Sequence, residues 1–103
     1  MCGIFGLFGY DPIEHGSLKI IHSKFIKGVN RGPENSVLKK LNNQDIVIGF
    51  HRLAINGYKV LTSEQPIQKD GCIVICNGEI YNWKKLASIS ETFCDTGSDC
   101  EII

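Results

Sequence analysis

Cys2-Gly3-Ile4-Phe5-Gly6-Leu7-Phe8-Gly9 opens the chain directly after Met1. The stretch is short, apolar and punctuated by glycine, and it reads as a β-strand. No basic residue precedes it, so it lacks the charged start of a secretory signal peptide. No apolar run in the chain approaches the roughly 20 residues that span a bilayer. Two further runs, Asp45–His51 and Cys72–Cys76, read as buried strands. The second ends in Asn77-Gly78, a strong tight-turn signal. Between the strands, Leu18, Ile21 and Phe25 fall at helical spacing within Ser17–Lys27, with Ser17 placed to cap. Gly28 and Pro33 fence off the loop Asn30–Glu34, and Arg52–Pro66 forms a long connection with little periodicity. Asn82 can cap a short helix holding Trp83 and Leu86, Thr92–Cys94 reads as a brief strand, and Ser98 or Asp99 caps a last helix that has barely begun at Ile103. The expectation is an α+β fold, mostly antiparallel in its strands, with Cys2 at a strand start beside the Asn77-Gly78 turn.

With 103 residues the chain is one domain at most. A domain of this size buries only about 60–65% of its unfolded surface. Eleven Lys and Arg balance eleven Asp and Glu. That balance removes any electrostatic argument for a nucleic acid or an anionic membrane as partner. The five cysteines, Cys2, Cys72, Cys76, Cys94 and Cys100, show neither zinc-ribbon nor CxxC spacing. They read as reduced thiols of a cytoplasmic protein. Cys72 and Cys76 lie four apart in the strand-like run and so share a face, as two buried apolar thiols. His15, His22 and His51 have no metal-ligand spacing, and no metal site is expected.

A cysteine at position 2 has a particular chemistry. Small second residues permit removal of the initiator Met, which makes Cys2 the N-terminal residue. The α-amine, with a pKa of about 7.7–8.0, can then accept the proton of a thiol whose pKa is about 8.5. One residue thus supplies nucleophile and base.

The company Cys2 keeps is specific. Cys2-Gly3-Ile4-Phe5-Gly6 is followed by Arg31-Gly32-Pro33-Glu34, Arg52-Leu53-Ala54-Ile55, Gln65-Pro66, Asn77-Gly78-Glu79-Ile80-Tyr81-Asn82 and Thr96-Gly97-Ser98-Asp99-Cys100-Glu101. In this order and spacing the chain resembles the class II glutamine amidotransferase domain, specifically the glutaminase domain of asparagine synthetases, from Met1 to Ile103. The resemblance implies an N-terminal-nucleophile hydrolase-like αββα sandwich of which residues 1–103 are the N-terminal portion. It implies hydrolysis of glutamine to glutamate and ammonia, with the ammonia used to amidate aspartate.

Glutamine hydrolysis passes through a tetrahedral oxyanion, and donors aimed at it are worth roughly 10²–10³ in rate each. Asn77 offers a side-chain amide and Gly78 an accessible backbone N–H; read alone, the pair is simply a hairpin turn. The resemblance places Cys2, Asn77 and Gly78 in catalysis. It places Arg52, Leu53, Ala54, Ile55, Asn56, Asn77, Gly78, Glu79 and Asp99 in the glutamine site. Arg52 suits the α-carboxylate through its bidentate fork. Glu79 and Asp99 suit the α-ammonium, and Leu53 to Asn56 line the pocket mainly by backbone. Read alone, Arg52 is a surface ion pair and Asp99 a helix cap.

The sequence departs from the family in three respects. Glu34 stands where Asp is common, and Phe50-His51 precede Arg52 where His-Glu is usual. The second half of the sandwich and the ATP- and Mg-dependent synthetase domain are absent from these 103 residues, so no cofactor is expected in this chain. Two readings follow. One is a glutaminase that serves a synthetase chain or completes itself with a missing half-domain. The other is an inactive truncated or split fragment that acts in binding or assembly. Under either, the inner-face residues Val47, Ile48, Ile73, Val74 and Ile75 are expected to be partly exposed, which favours self-association.

Overall fold

The structure is a computed structural model that describes residues 2–42, 44–53 and 64–103. Strand β1 (Gly3–Phe8) alternates between half-buried odd and exposed even positions, the signature of a strand with one face on a core. It pairs antiparallel with β3 (Ile46–Arg52), which pairs antiparallel with β2 (Asn35–Lys40). The sheet order is therefore β1-β3-β2. As the central strand, β3 is buried from Val47 to Arg52.

The register assigns each side chain to a face. Phe5, Leu7, Val47 and Leu38 lie on one face, opposite Gly49, Val47, Leu7 and Gly49 respectively. They pack with Tyr10 and Ile21 as the core. Helix α2 (Leu18–Phe25) covers this face, burying Ile21 and Phe25. A shorter helix, α1 (Pro12–His15), precedes it and is capped by Asp11, whose carboxylate accepts from Ile13 N–H at 2.8 Å. Beyond α2 the chain tightens into a 3₁₀ helix over Ile26–Arg31. The Phe25 ring lies directly on β3, so that a Cβ at Gly49 would sit 2.6 Å from Phe25 Cε2.

His51 is buried beneath the same helix. It stacks on Phe25 with ring centroids 3.9 Å apart. Its Nε2 lies 2.9 Å from the Phe25 carbonyl and its Nδ1 2.7 Å from Ser36 Oγ. A carbonyl can only accept, so Nε2 donates; Nδ1 of the neutral imidazole then accepts the Ser36 hydroxyl. His51 thus ties α2 to both β3 and β2.

A separate hairpin joins β4 (Ile67–Lys69) to β5 (Cys72–Val74). Its two-residue turn is Asp70-Gly71, with φ of 48° and 80°. Positive φ at both central residues is the I′ geometry that matches strand twist, and Asp-Gly is a preferred pair for it. The expected tight turn at Asn77-Gly78 is not a hairpin: that segment follows β5 with a bend at Gly78. Helix α3 (Trp83–Ser90) follows, and a 3₁₀ helix spans Asp99–Ile102.

Several further expectations are corrected. The strand expected over Cys72–Cys76 ends at Val74, and Cys72 is exposed, not buried. Thr92–Cys94 is not a strand. The helix expected through Lys27 is α-helical only to Phe25. Neither Ser17 nor Asn82 makes a side-chain cap, whereas Ser98 does, accepting from Cys100 N–H at 3.3 Å. Val47 and Ile48, expected to be partly exposed, are buried at 0% and 6%. Ile73 is exposed, and Val74 and Ile75 are half-buried. The second face of the sheet, carrying Ile4, Phe8, Ile46 and Ile48, borders a cleft of about 600 Å³ closed on its other side by Ile73 and Ile75.

Candidate functional site

The β1–β3 register sets Gly3 opposite His51. One position further, Cys2 falls beside Arg52, and strand alternation puts both on the face that α2 does not cover. Cys2 is half-buried at the strand start. Its thiol donates to the Leu53 carbonyl and accepts from the Leu53 N–H, each at 3.3 Å. Among the described residues, these sulfur contacts are to main chain, and they supply no side-chain base.

Arg52 is buried to 9% exposure, and its backbone is held by the loop that sequence singled out. The Glu34 N–H donates to the Arg52 carbonyl at 3.1 Å, and Pro33 forms a parallel bridge to Arg52. Gly32 lies so close that a Cβ there would stand 2.2 Å from the His51 carbonyl oxygen. A side chain at position 32 would therefore push the loop off β3. The Arg52 guanidinium Nη1 lies 3.7 Å from Glu64 Oε1. That is longer than a charge-assisted hydrogen bond of roughly 2.7–2.9 Å, so the pair is loose.

The next residue, Gln65, extends the connection. Its side-chain amide donates to the Cys76 carbonyl at 3.1 Å and its Oε1 accepts from Cys76 N–H at 2.6 Å. Gln65 thus mimics a strand partner and fixes the backbone just before Asn77. Asn77, Gly78 and Glu79 are exposed. Asp99 is buried at 7%, and its Oδ2 accepts from Ile80 N–H at 2.6 Å. The expected site residues therefore form two groups, Cys2–Arg52–Leu53 and Asn77–Ile80 with Asp99, joined through Glu64-Gln65. Ala54, Ile55 and Asn56 lie outside the described residues.

A family profile described as a glutamine amidotransferase domain matches residues 1–103. This chain belongs to the glutamine amidotransferase domain family. It is 38% identical over 107 residues to the asparagine synthetase [glutamine-hydrolyzing] of Bos taurus and 37% identical to that of Homo sapiens, in each case across all of this chain. A putative asparagine synthetase [glutamine-hydrolyzing] of Methanocaldococcus jannaschii is 31% identical over 122 residues. The chain spans 18% of the length of the mammalian relatives and 23% of the archaeal one. No solved structure gives a significant match.

In this amidotransferase domain the segment carrying Asp99 is anchored by Glu101, whose role sequence reasoning did not assign. The Glu101 carboxylate accepts from the N–H groups of Asp95 (2.9 Å) and Thr96 (2.7 Å), from the Thr96 hydroxyl (2.7 Å) and from Lys69 Nζ (3.0 Å). Lys69 also donates to the Phe93 carbonyl. Burial works to raise the Glu101 pKa, but the Asp95 and Thr96 donors and Lys69 outweigh it and hold it at about 2. The hydrogen bond to Glu101 correspondingly raises the Lys69 pKa. The legible signal was the Ser98-x-x-Glu101 spacing of a capping box. Here the Glu reaches past the cap residue to the turn before it. Among the described residues no three His, Cys, Asp or Glu side chains are grouped to hold a metal ion, and no helix is long and apolar enough to cross a membrane.

Proposed function

We propose that this chain is the glutamine-hydrolysing portion of an asparagine-synthetase-type enzyme, with the αββα N-terminal-nucleophile architecture of which it supplies the front part. What carries the reading is the family match over all 103 residues; Cys2 lies just before the edge strand β1, its thiol on the main chain of Leu53. Removal of Met1 frees the α-amine of Cys2 as base. The thiolate then attacks the γ-carboxamide carbon of glutamine. Asn77 and the Gly78 N–H receive the oxyanion, ammonia leaves, and water hydrolyses the thioester to glutamate and free thiol. Arg52 exchanges its loose contact with Glu64 for the substrate α-carboxylate, a bidentate partner. Glu79 and Asp99 face the α-ammonium. Glutamine is the small-molecule partner, and the ammonia feeds amidation of aspartate in a synthetase domain that uses ATP and Mg.

A second reading, a fragment serving binding or assembly, draws on the partly covered apolar face of the sheet. Ammonia release from glutamine distinguishes the two. Wild-type protein with Met1 removed should release ammonia, and Cys2→Ala should reduce release to background. Equal release from Cys2→Ala would end the nucleophile assignment. A folded wild type with no release, alone or with a synthetase chain, would favour the assembly reading. Intact mass should show loss of Met1 in every active preparation.

A further inference from the structure

Asn77 and Gly78 are exposed and belong to no strand or helix, since β5 ends at Val74. A side chain fixes the backbone that leads into them. The β4–β5 ladder pairs Lys69 with Cys72, Gln68 with Ile73 and Ile67 with Val74. Two residues further, the same register sets position 65 opposite Cys76. In an antiparallel ladder, pairs that exchange both backbone hydrogen bonds alternate with pairs that exchange none. Counting from the closing pair of the turn, Lys69–Cys72, position 65 and Cys76 fall in the bonded class. There the primary amide of Gln65 makes the exchange that a backbone would make: Oε1 accepts from the Cys76 N–H at 2.6 Å, and Nε2 donates to the Cys76 carbonyl at 3.1 Å. The far end of the segment is held by Asp99, whose Oδ2 accepts from the Ile80 N–H at 2.6 Å. Only Asn77, Gly78 and Glu79 lie between the two pins. We propose that Gln65 is a positioning residue for glutamine hydrolysis: through the Cys76 peptide it holds the Asn77 amide and the Gly78 N–H where the oxyanion forms. The role rests on the amidotransferase reading above.

An oxyanion donor contributes its rate factor only when it is already aimed at the developing charge. A misplacement of about 1 Å can cost on the order of 10²-fold. Arg52 and Asp99, two of the groups that bind the ground state of glutamine, lie outside the pinned segment. Loss of the Gln65 clamp should therefore appear in kcat and leave KM nearly unchanged. The clamp needs a donor and an acceptor on one planar group. Methionine keeps the reach and has no N–H to donate. Glutamate keeps the acceptor and loses the donor, and its carboxylate then faces the Cys76 carbonyl.

The test compares Gln65→Met and Gln65→Glu with wild type, all with Met1 removed. Two quantities are measured: amide hydrogen exchange at Cys76 against Val47 in the central strand, and ammonia release from glutamine, by the chain alone or with a synthetase chain where wild type requires one. Gln65→Met should speed exchange at Cys76, leave Val47 protected, and lower kcat on the order of 10²-fold with KM within about twofold of wild type. Gln65→Glu should keep the Cys76 amide protected and still lose kcat, which a purely structural role would not produce. Wild-type kcat in both variants, or a KM that rises while kcat holds, would overturn the assignment. Unchanged exchange at Cys76 in Gln65→Met would overturn it equally. If Gln65→Met loses protection at Val47 as well, Gln65→Glu decides by the same kcat and KM criteria. A wild type that protects Cys76 yet releases no ammonia in either arrangement would overturn the amidotransferase reading and the positioning role together. An active wild type matched by both variants would overturn the positioning role alone.

Discussion

At the scale of single residues, His51 shows how one side chain can hold three elements. Its imidazole bonds Phe25 of α2 and Ser36 of β2 while belonging to β3. Replacing it with Ala would leave a cavity under Phe25 and orphan the Ser36 hydroxyl. The expected loss is about 3 kcal/mol, read as a lower urea midpoint with an unchanged slope. Gly49→Ala acts at the same contact by the opposite route. Its new Cβ meets the Phe25 ring at 2.6 Å, and the overpacking should cost about 1–3 kcal/mol. A Gly49→Ala variant as stable as wild type would show that Phe25 can leave β3 without penalty.

At the scale of elements, the anchored segment before the last 3₁₀ helix has a pH signature. Glu101 titrates at about 2 in the folded chain against an ordinary 4.5. The stabilisation from its ionised form is therefore complete above about pH 4.5 and is lost as pH falls toward 2, amounting to about 3 kcal/mol. Glu101→Gln should lower the melting temperature at pH 7 and flatten its decline between pH 5 and 2, roughly the window where wild type loses this contribution. Parallel wild-type and variant curves over that window would refute the assignment. How far the elements could be read from sequence depended on whether the signal was local. β1 and β3 were visible because each is a continuous apolar run, and α2 because Leu18, Ile21 and Phe25 recur at helical spacing. β2 was missed: Asn35-Ser36-Val37-Leu38-Lys39-Lys40 has few apolar residues, and its order comes from hydrogen bonds to β3 across the sheet. β4 (Ile67–Lys69) received no assignment, falling between the long connection that ends at Pro66 and the run that starts at Cys72, although Asp70-Gly71 was a hairpin signal as clear as Asn77-Gly78. Of the residues the sequence singled out for the site, the structure sets Cys2 against Leu53 and Asp99 against Ile80. The bridging amide of Gln65 was not legible, because it contacts Cys76 across a fold that no periodicity encodes.

At the scale of the molecule, one face of the three-stranded sheet is finished by α2, and the other is covered only in part, with Ile48 and Phe50 buried but Ile4 and Phe8 exposed. The radius of gyration is 14.8 Å, against about 13 Å for a compact domain of 100 residues, and the extents are 47 × 29 × 18 Å. The helix face carries the core. The partly covered face leaves Ile4 at 56% and Phe8 at 74% exposure, with Ile73 across the cleft at 38%. Burying each such side chain is worth roughly 1.5–3 kcal/mol, so this face drives association wherever nothing else covers it. The isolated 103-residue chain should therefore sediment with a weight-average mass that rises with concentration. Phe8→Glu tests the source. The Phe8 ring lies over Gly6, with Cε2 3.2 Å from where a Cβ would project there, and Phe8 is not among the core residues. A charge there should shift the unfolding free energy by no more than about 0.5 kcal/mol while moving the sedimenting species toward monomer. Leu7→Glu, one position along on the core face, should unfold the chain instead. A Phe8→Glu chain that associates as wild type does would show that this face is not what brings copies together.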